Sequence, residues 1–235
     1  MAIYVGLYIY DSSLLLYPNE GILKASYAMN WRTGFGSKNT TLAGKELYIP
    51  NLFCPTAPIF RLSWQYETSA ASKSTDWESC LQPLRWFQVP IWFLFTLSFL
   101  FLPIALFGHF GDVLLIAVFA LIYLCVAIIV STLYLVKEPL AISKREFWYT
   151  TFDLFLCPPF AINLVRRLSL KQHVKEDFVA AARRLQKAAH WQETEMKLRS
   201  RLIDEANCED EDTPRANALK ERIAQFTQVD SDDKT

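Results

Sequence analysis

Residues 86–136 read "WFQVPIWFLFTLSFLFLPIALFG HFGD VLLIAVFALIYLCVAIIVSTLYLV", two long apolar runs that only four residues separate. The first run, 86–108, has 23 residues and the second, 113–136, has 24, and neither contains a charged residue. About 20 apolar residues in a helix cross the ~30 Å hydrocarbon core of a bilayer. Two buried core helices fit less well, because such helices rarely stay uncharged beyond about 14 residues. The stretch therefore predicts an antiparallel transmembrane hairpin in an integral membrane protein of mixed α+β class.

The basic residues that flank this hairpin lie on one side of it. Lys73 and Arg85 precede it, Lys137, Lys144 and Arg145 follow it, and the four-residue turn has none. Lys and Arg near the ends of membrane spans favour the cytoplasmic side. We therefore predict that both termini are cytoplasmic, in a plasma membrane or bacterial inner membrane. The first 20 residues lack a basic n-region and a cleavage site, so they do not predict a cleaved signal peptide.

Residues 1–80 combine short β-rich runs with turn signals. The runs include "IYVGLYIY", "ELYIPNLF" and "PIFRLSWQY", and Gly and Pro clusters separate them. This pattern predicts a small β-rich cytoplasmic domain. Its six acidic and six basic residues argue against a nucleic-acid partner.

Residues 147–165, "FWYTTFDLFLCPPFAINLV", are almost long enough for a third crossing. Pro158 and Pro159 break the helix ladder near the middle, and Asp153 at a helix centre would cost about 2.5–3.5 kcal/mol on insertion. We therefore predict an interfacial or re-entrant segment, with an aromatic face on its first half. Asp153 and Asn163 are its polar candidates at membrane depth, where polar groups are often functional.

Residues 166–235 predict a charged cytoplasmic helical region. One apolar stripe with coiled-coil spacing runs along its first part, and a second follows Thr213. Together they predict an antiparallel helical hairpin, whose second helix we expect to bind a partner through Leu219, Ile223 and Phe226.

Charge is sorted along the same region. Residues 137–203 hold 13 basic and 7 acidic residues, net +6, whereas 204–235 hold 4 basic and 10 acidic, net −6. This order predicts contact between anionic lipid headgroups and the membrane-proximal basic residues Lys144, Arg145, Arg166, Arg167 and Lys171. The alternative is that the two oppositely charged halves simply face each other.

Small residues form a stripe on the second apolar run. Ala117, Ala120, Ala127 and Ser131 fall on one side of a helical wheel. Small residues allow close helix approach in lipid, so we expect the first helix of the hairpin to pack there.

Signals for chemistry are weak. No GxSxG, HExxH, P-loop or GxGxxG motif occurs, and the two His-x-x-Glu pairs at His173 and His190 would point about 100° apart on one helix. The sequence therefore predicts no enzyme, metal or cofactor. We expect an anchor or interaction module at the cytoplasmic membrane face, as in an immunity or envelope-assembly accessory protein. Its partners would be the lipid bilayer and an unidentified protein or a second copy of the chain. The alternatives are a small channel or ion-coupled transporter built around Asp153, and a membrane enzyme that acts on lipid.

Overall fold

The computed structural model describes residues 2–26, 30–64, 74–108, 112–172, 174, 176–208, 213, 217–221 and 223. It confirms a mixed α+β fold, with a small N-terminal sheet region and helices in most of the remainder. The turn of the apolar hairpin at 109–111, His173 and Phe226 lie outside the described residues.

Six short strands form two three-stranded antiparallel sheets, ordered β1-β5-β4 and β3-β2-β6. The strand bounds are β1 Leu14–Leu16, β2 Glu20–Ala25, β3 Trp31–Gly34, β4 Ser37–Leu42, β5 Lys45–Tyr48 and β6 Ile59–Ser63. The central strand β2 pairs with both of its neighbours, and Lys24 lies directly opposite Arg32 on β3. Like charges that face each other across a strand pair are unfavourable, so this pair marks an unusual position.

The first apolar run of the chain is a helix, so the predicted strand in "IYVGLYIY" is wrong. Helix α1 covers Ala2–Ser12 and packs beside the apolar hairpin, where the Tyr8 ring lies 5.2 Å from that of Phe99. Short apolar runs fit either a strand or a buried helix by pattern alone, and tertiary packing decides between them.

Two long helical rods follow the sheet region. The first combines α2 Trp77–Leu81, a 3₁₀ turn Pro83–Phe87, α3 Gln88–Thr96, a π-helical turn Leu97–Phe101 and α4 Leu102–Phe107. The second is a single helix, α5 Asp112–Val136. Pro103 cannot donate a backbone hydrogen bond, and the π-helical turn lies directly before it, where the ladder is interrupted.

Residues 144–171 form three short helices. They are α6 Lys144–Leu156, α7 Pro158–Ile162 and α8 Leu164–Lys171. A capping box between Ser143 and Glu146 starts α6, and the chain leaves helical geometry at Cys157, immediately before the two prolines. No straight helix therefore runs through 147–165.

The C-terminal region breaks into α9 Phe178–Leu185 and α10 Ala188–Cys208, with further helical residues at 217–221. Its buried stripe packs on the sheet: Phe178 lies against Phe35 and Trp64, at ring distances of 5.5 and 5.8 Å. One hydrophobic core thus includes strands β2, β3 and β6 together with α2, α9 and α10. The two ends of the chain share this core, whereas the sequence pattern predicted two separate units.

A second core lies among the apolar helices. It joins α1, the two rods, α6, α7 and part of α8. Helix α8 links the two halves of the molecule, because Leu168 packs in the helical core while the Ser169 hydroxyl accepts a hydrogen bond from the Ile59 N–H of β6 at 3.0 Å.

Candidate functional site

Both helical rods leave many large apolar side chains exposed. Both are long and apolar enough to cross a membrane, and only 33% and 28% of the residues in their most apolar stretches are buried. On α5 the outward side chains include Ile116, Leu124 and Leu135, which are 68%, 55% and 78% exposed. A core helix of a water-soluble protein would bury these side chains instead.

Helix α6 extends this apolar outer surface with aromatic rings. Trp148, Tyr149 and Phe152 are each at least 60% exposed, whereas Phe147, Thr150 and Leu154 are buried. The helix therefore presents Trp148, Tyr149 and Phe152 outward, whereas Phe147, which the predicted aromatic face included, packs inward. At its N-terminal end, Lys144 and Arg145 are exposed beside the aromatic face.

The predicted small-residue stripe on α5 lies on the outer surface. Ala117, Ala120 and Ser131 are exposed and Ala127 is half-buried. The other helices pack instead against the larger side chains Val118, Ile122, Val126, Ile129 and Leu133. The expectation that the first helix of the hairpin uses this stripe is therefore wrong, because bulky interdigitating side chains fill the contact.

A buried polar cluster joins α1, α8 and the loop after β5. Its centre is the guanidinium of Arg166, which is only 2% exposed although the sequence places it among the headgroup-contacting residues. Its Nη2 donates to the Asn51 and Cys54 carbonyls at 2.6 and 2.8 Å, and Nη1 donates to Ser12 Oγ and Asn163 Oδ1 at 3.1 and 3.0 Å. All four acceptors are neutral, so no carboxylate in the described residues balances this buried charge by direct contact.

Asn163 is also part of this cluster. The residue is completely buried, and its amide nitrogen donates to the Tyr8 carbonyl at 3.2 Å. The Ser12 hydroxyl donates to the same carbonyl at 2.7 Å, and the Tyr8 hydroxyl donates to the Leu52 carbonyl at 2.6 Å. The structure thus gives Asn163 a bonding role between α1 and α8. Tyr8 and Ser12 were not predicted, and nothing in their local sequence distinguishes them.

Asp153 is half-buried and forms an ion pair. Its carboxylate accepts from Arg167 at 3.3 Å, and both side chains remain partly exposed. Arg167 directs its charge toward this carboxylate, and Lys171, at the end of α8, is exposed. Of the five predicted basic contacts, Lys144, Arg145 and Lys171 are thus at the surface, whereas Arg166 is enclosed.

Two of the predicted partner-binding residues, Leu219 and Ile223, lie in or against a core of the fold. Leu219 is fully buried in the core shared with the sheet, and Ile223 is half-buried against it. Leu219 therefore stabilises the fold and is not available to a partner. Within the parts of the chain that the structure describes, no group of three or more His, Cys, Asp and Glu side chains could hold a metal ion.

Two adjoining cavities lie where β2 and β3 meet α8 and α10. One, of about 330 Å³, is lined in part by Lys24, Arg32, Asn51 and Arg166. The other, of about 280 Å³, shares Lys24 and Arg32 and also contacts His190, Glu193 and Lys197. Burial, together with the nearby Arg166 guanidinium, lowers the pKa of Lys24. Three cationic side chains, those of Lys24, Arg32 and Arg166, thus line the first cavity.

Comparisons of this chain with protein-family models, curated proteins and solved structures find no match.

Proposed function

We propose that this protein is a membrane-anchored interaction module. The apolar rods would cross the bilayer as a hairpin, α6 would lie in the headgroup region, and the sheet with α9 and α10 would be held at the cytoplasmic face. Both termini would be on that side, in a plasma membrane or bacterial inner membrane. The exposed basic residues Lys144, Arg145 and Lys171 would contact anionic lipid headgroups.

The observation that carries this proposal is the outward apolar surface of the rods. Side chains such as Leu124 and Leu135 are more than half exposed along helices of membrane-spanning length. In water such a surface would cause aggregation, whereas in lipid it needs no cover. The other half of the chain has a core of its own and a charged surface, which suits a unit that meets a partner in water.

An arginine substitution distinguishes a lipid-facing surface from a water-facing one. Leu124 is 55% exposed near the middle of α5, so Leu124→Arg should cost about 2.5–3.5 kcal/mol if lipid surrounds it. If water surrounds it, the same change should have an effect within about 0.5 kcal/mol. We expect Leu124→Arg to reduce strongly the fraction of protein that stays in carbonate-washed membranes.

Ile203→Arg is the matched control. Ile203 is also partly exposed, at 40%, but it lies on α10 in the unit assigned to water. We expect this variant to remain in the membrane fraction at the level of the unchanged chain. Equal behaviour of the two variants would refute the lipid-facing assignment.

The interaction role needs a separate measurement. We expect affinity purification of the full chain from detergent-solubilised membranes to recover a stoichiometric protein partner or a second copy of the chain. Recovery of a monomer without a partner, under conditions that keep the protein folded, would leave the anchor without an interaction role and contradict this half of the proposal.

A further inference from the structure

The geometry points to a phosphate-binding site in the cavity lined by Lys24, Arg32 and Arg166. Neither the sequence pattern nor the proposed anchoring assigns a site to Lys24 and Arg32. The inference does not depend on the anchoring role, because the cavity lies between the strands, the loop after β5 and α8.

Positive charge is in excess in this cavity. Among the residues that the structure describes, three cationic side chains line this cavity and no carboxylate does. None of the three is in an ion pair among the residues that the structure describes. On α10, Glu193 lines the adjoining cavity, where its charge also acts on Arg32, and it is paired with Lys197 at 2.6 Å.

The strand register brings two of these cations together. Pairing of β2 with β3 places Lys24 directly opposite Arg32. Two cations in this position repel each other and cost stability unless an anion lies between them. A sheet that keeps such a pair beside a cavity has the arrangement expected of an anion-binding site.

Arg166 keeps one buried donor without a partner among the described residues. Its side chain is almost fully buried and its two terminal nitrogens donate to neutral oxygens, while its Nε–H is buried without a hydrogen-bond partner in the described part of the chain. A buried guanidinium gains most from an anionic acceptor, because hydrogen bonds to charged groups are the stronger ones. Asn30 and Asn51 add polar groups to the same wall.

The charge of the site selects the chemistry of the ligand. One carboxylate would balance only one of the three cations, whereas a phosphate monoester carries close to two negative charges and three acceptor oxygens. The phosphate could belong to a lipid headgroup or to a soluble molecule. The apolar side chain of Phe53, which is 77% exposed, lies on the loop that also supplies Asn51 and Cys54.

Binding measurements on the full chain in neutral detergent test the site. The lipid probe is dioctanoyl phosphatidic acid, its neutral-headgroup control is dioctanoyl phosphatidylcholine, and the soluble probe is glycerol 3-phosphate. We expect at least one phosphate monoester probe to bind, with phosphatidylcholine binding at least tenfold more weakly. A preference for phosphatidic acid over glycerol phosphate would identify a lipid ligand, and similar affinities would identify a soluble one.

Two variants and a control locate the binding. Lys24→Gln and Arg32→Gln should each weaken the affinity about fivefold, as expected for the loss of one nearby cation. Arg183→Gln removes an exposed cation from α9, outside the cavity, and should leave the affinity unchanged. Circular dichroism checks that each variant keeps its fold. Absence of binding by both phosphate probes, or binding that the Lys24 and Arg32 variants retain in full, would overturn the inference.

Discussion

At the scale of single residues, the enclosed arginine of α8 is the most informative feature. Transfer of a charge from water to a protein interior is expensive unless hydrogen bonds compensate for it. Arg166 donates four such bonds, to acceptors on α1, on the residue that precedes α8 and on the loop after β5. The side chain therefore connects three segments that are distant in the sequence, and its energetic value lies in the acceptors that it satisfies.

Removal of this side chain should destabilise the protein. Arg166→Met keeps most of the volume but leaves the Asn51 and Cys54 carbonyls and the Asn163 amide oxygen without their donor. We expect a loss of about 3 kcal/mol, which corresponds to a fall of about 6–12 °C in the thermal transition. Tryptophan fluorescence of the detergent-solubilised chain would follow the transition.

Its sequence neighbour provides the control. Arg167→Met removes a partly exposed ion pair with Asp153, which should cost no more than about 1 kcal/mol. If both variants lowered the transition temperature equally, the enclosed cluster would have no special role in stability.

The surroundings of these two adjacent arginines differ in a way that the sequence does not predict. Arg166 and Arg167 are adjacent residues of the same type, with the same local charge and distance from the apolar hairpin. The sequence therefore predicted that both contact lipid headgroups. A helix rotates about 100° between neighbouring residues, and this rotation turns one inward and the other toward Asp153. Which of the two arginine side chains points inward depends on how α1 packs, and α1 lies about 150 residues before Arg166 in the sequence.

At the scale of helices and strands, periodicity and length gave reliable predictions where the pattern was long. The two uncharged runs and the break at Pro158 were predictable, because length and proline geometry act locally. Helix α1 was not, since eight apolar residues fit two kinds of structure, and tertiary contacts such as that of Tyr8 with Phe99 select the helix. The long C-terminal stripe was recognised as a packing face, but its partner, the sheet, lies at the other end of the chain.

Helix α6 allows a direct test of its predicted position at the membrane surface. A nitroxide attached to cysteine at position 152, with the five native cysteines replaced by alanine, should be more accessible to oxygen than to a polar nickel complex in vesicles. The reason is that Phe152 is 63% exposed on the aromatic face, which would lie in lipid. Power-saturation electron paramagnetic resonance measures both accessibilities.

A label at position 200 gives the comparison for a water-facing site. Ser200 is exposed on α10, and we expect the nickel complex to reach it readily. Equal nickel accessibility at 152 and 200 would place α6 in water and remove it from the proposed interface.

At the scale of the whole molecule, the N-terminal and C-terminal parts are one folded unit on the polar side. Phe178 of α9 packs directly on the backbone of Gly21, where even a Cβ atom would come within 2.4 Å of the ring. Arg201 of α10 forms an ion pair of 2.7 Å with Glu46 of β5, and both side chains are about one-tenth exposed. Glu176 accepts from the Trp77 indole at 3.2 Å and pairs with Arg184 at 2.8 Å. The helices of the tail thus complete the core of the sheet.

This shared core predicts how fragments of the chain should behave. A fragment of residues 170–235 carries α9 and α10 without the strands that cover Phe178, Ala181 and Leu198, all of which are fully buried in the complete chain. Helices of 8 and 21 residues that lose their packing surface are marginal in water. We therefore expect the isolated fragment to have weak helical circular dichroism and no cooperative thermal transition. Co-expressed with residues 1–169, the same fragment should be recovered with the membrane fraction, and Phe178→Ser in the fragment should reduce that recovery. A fragment that is strongly helical and melts cooperatively alone would show that the tail is an independent domain, in which case its contacts with the sheet would be secondary to its own packing.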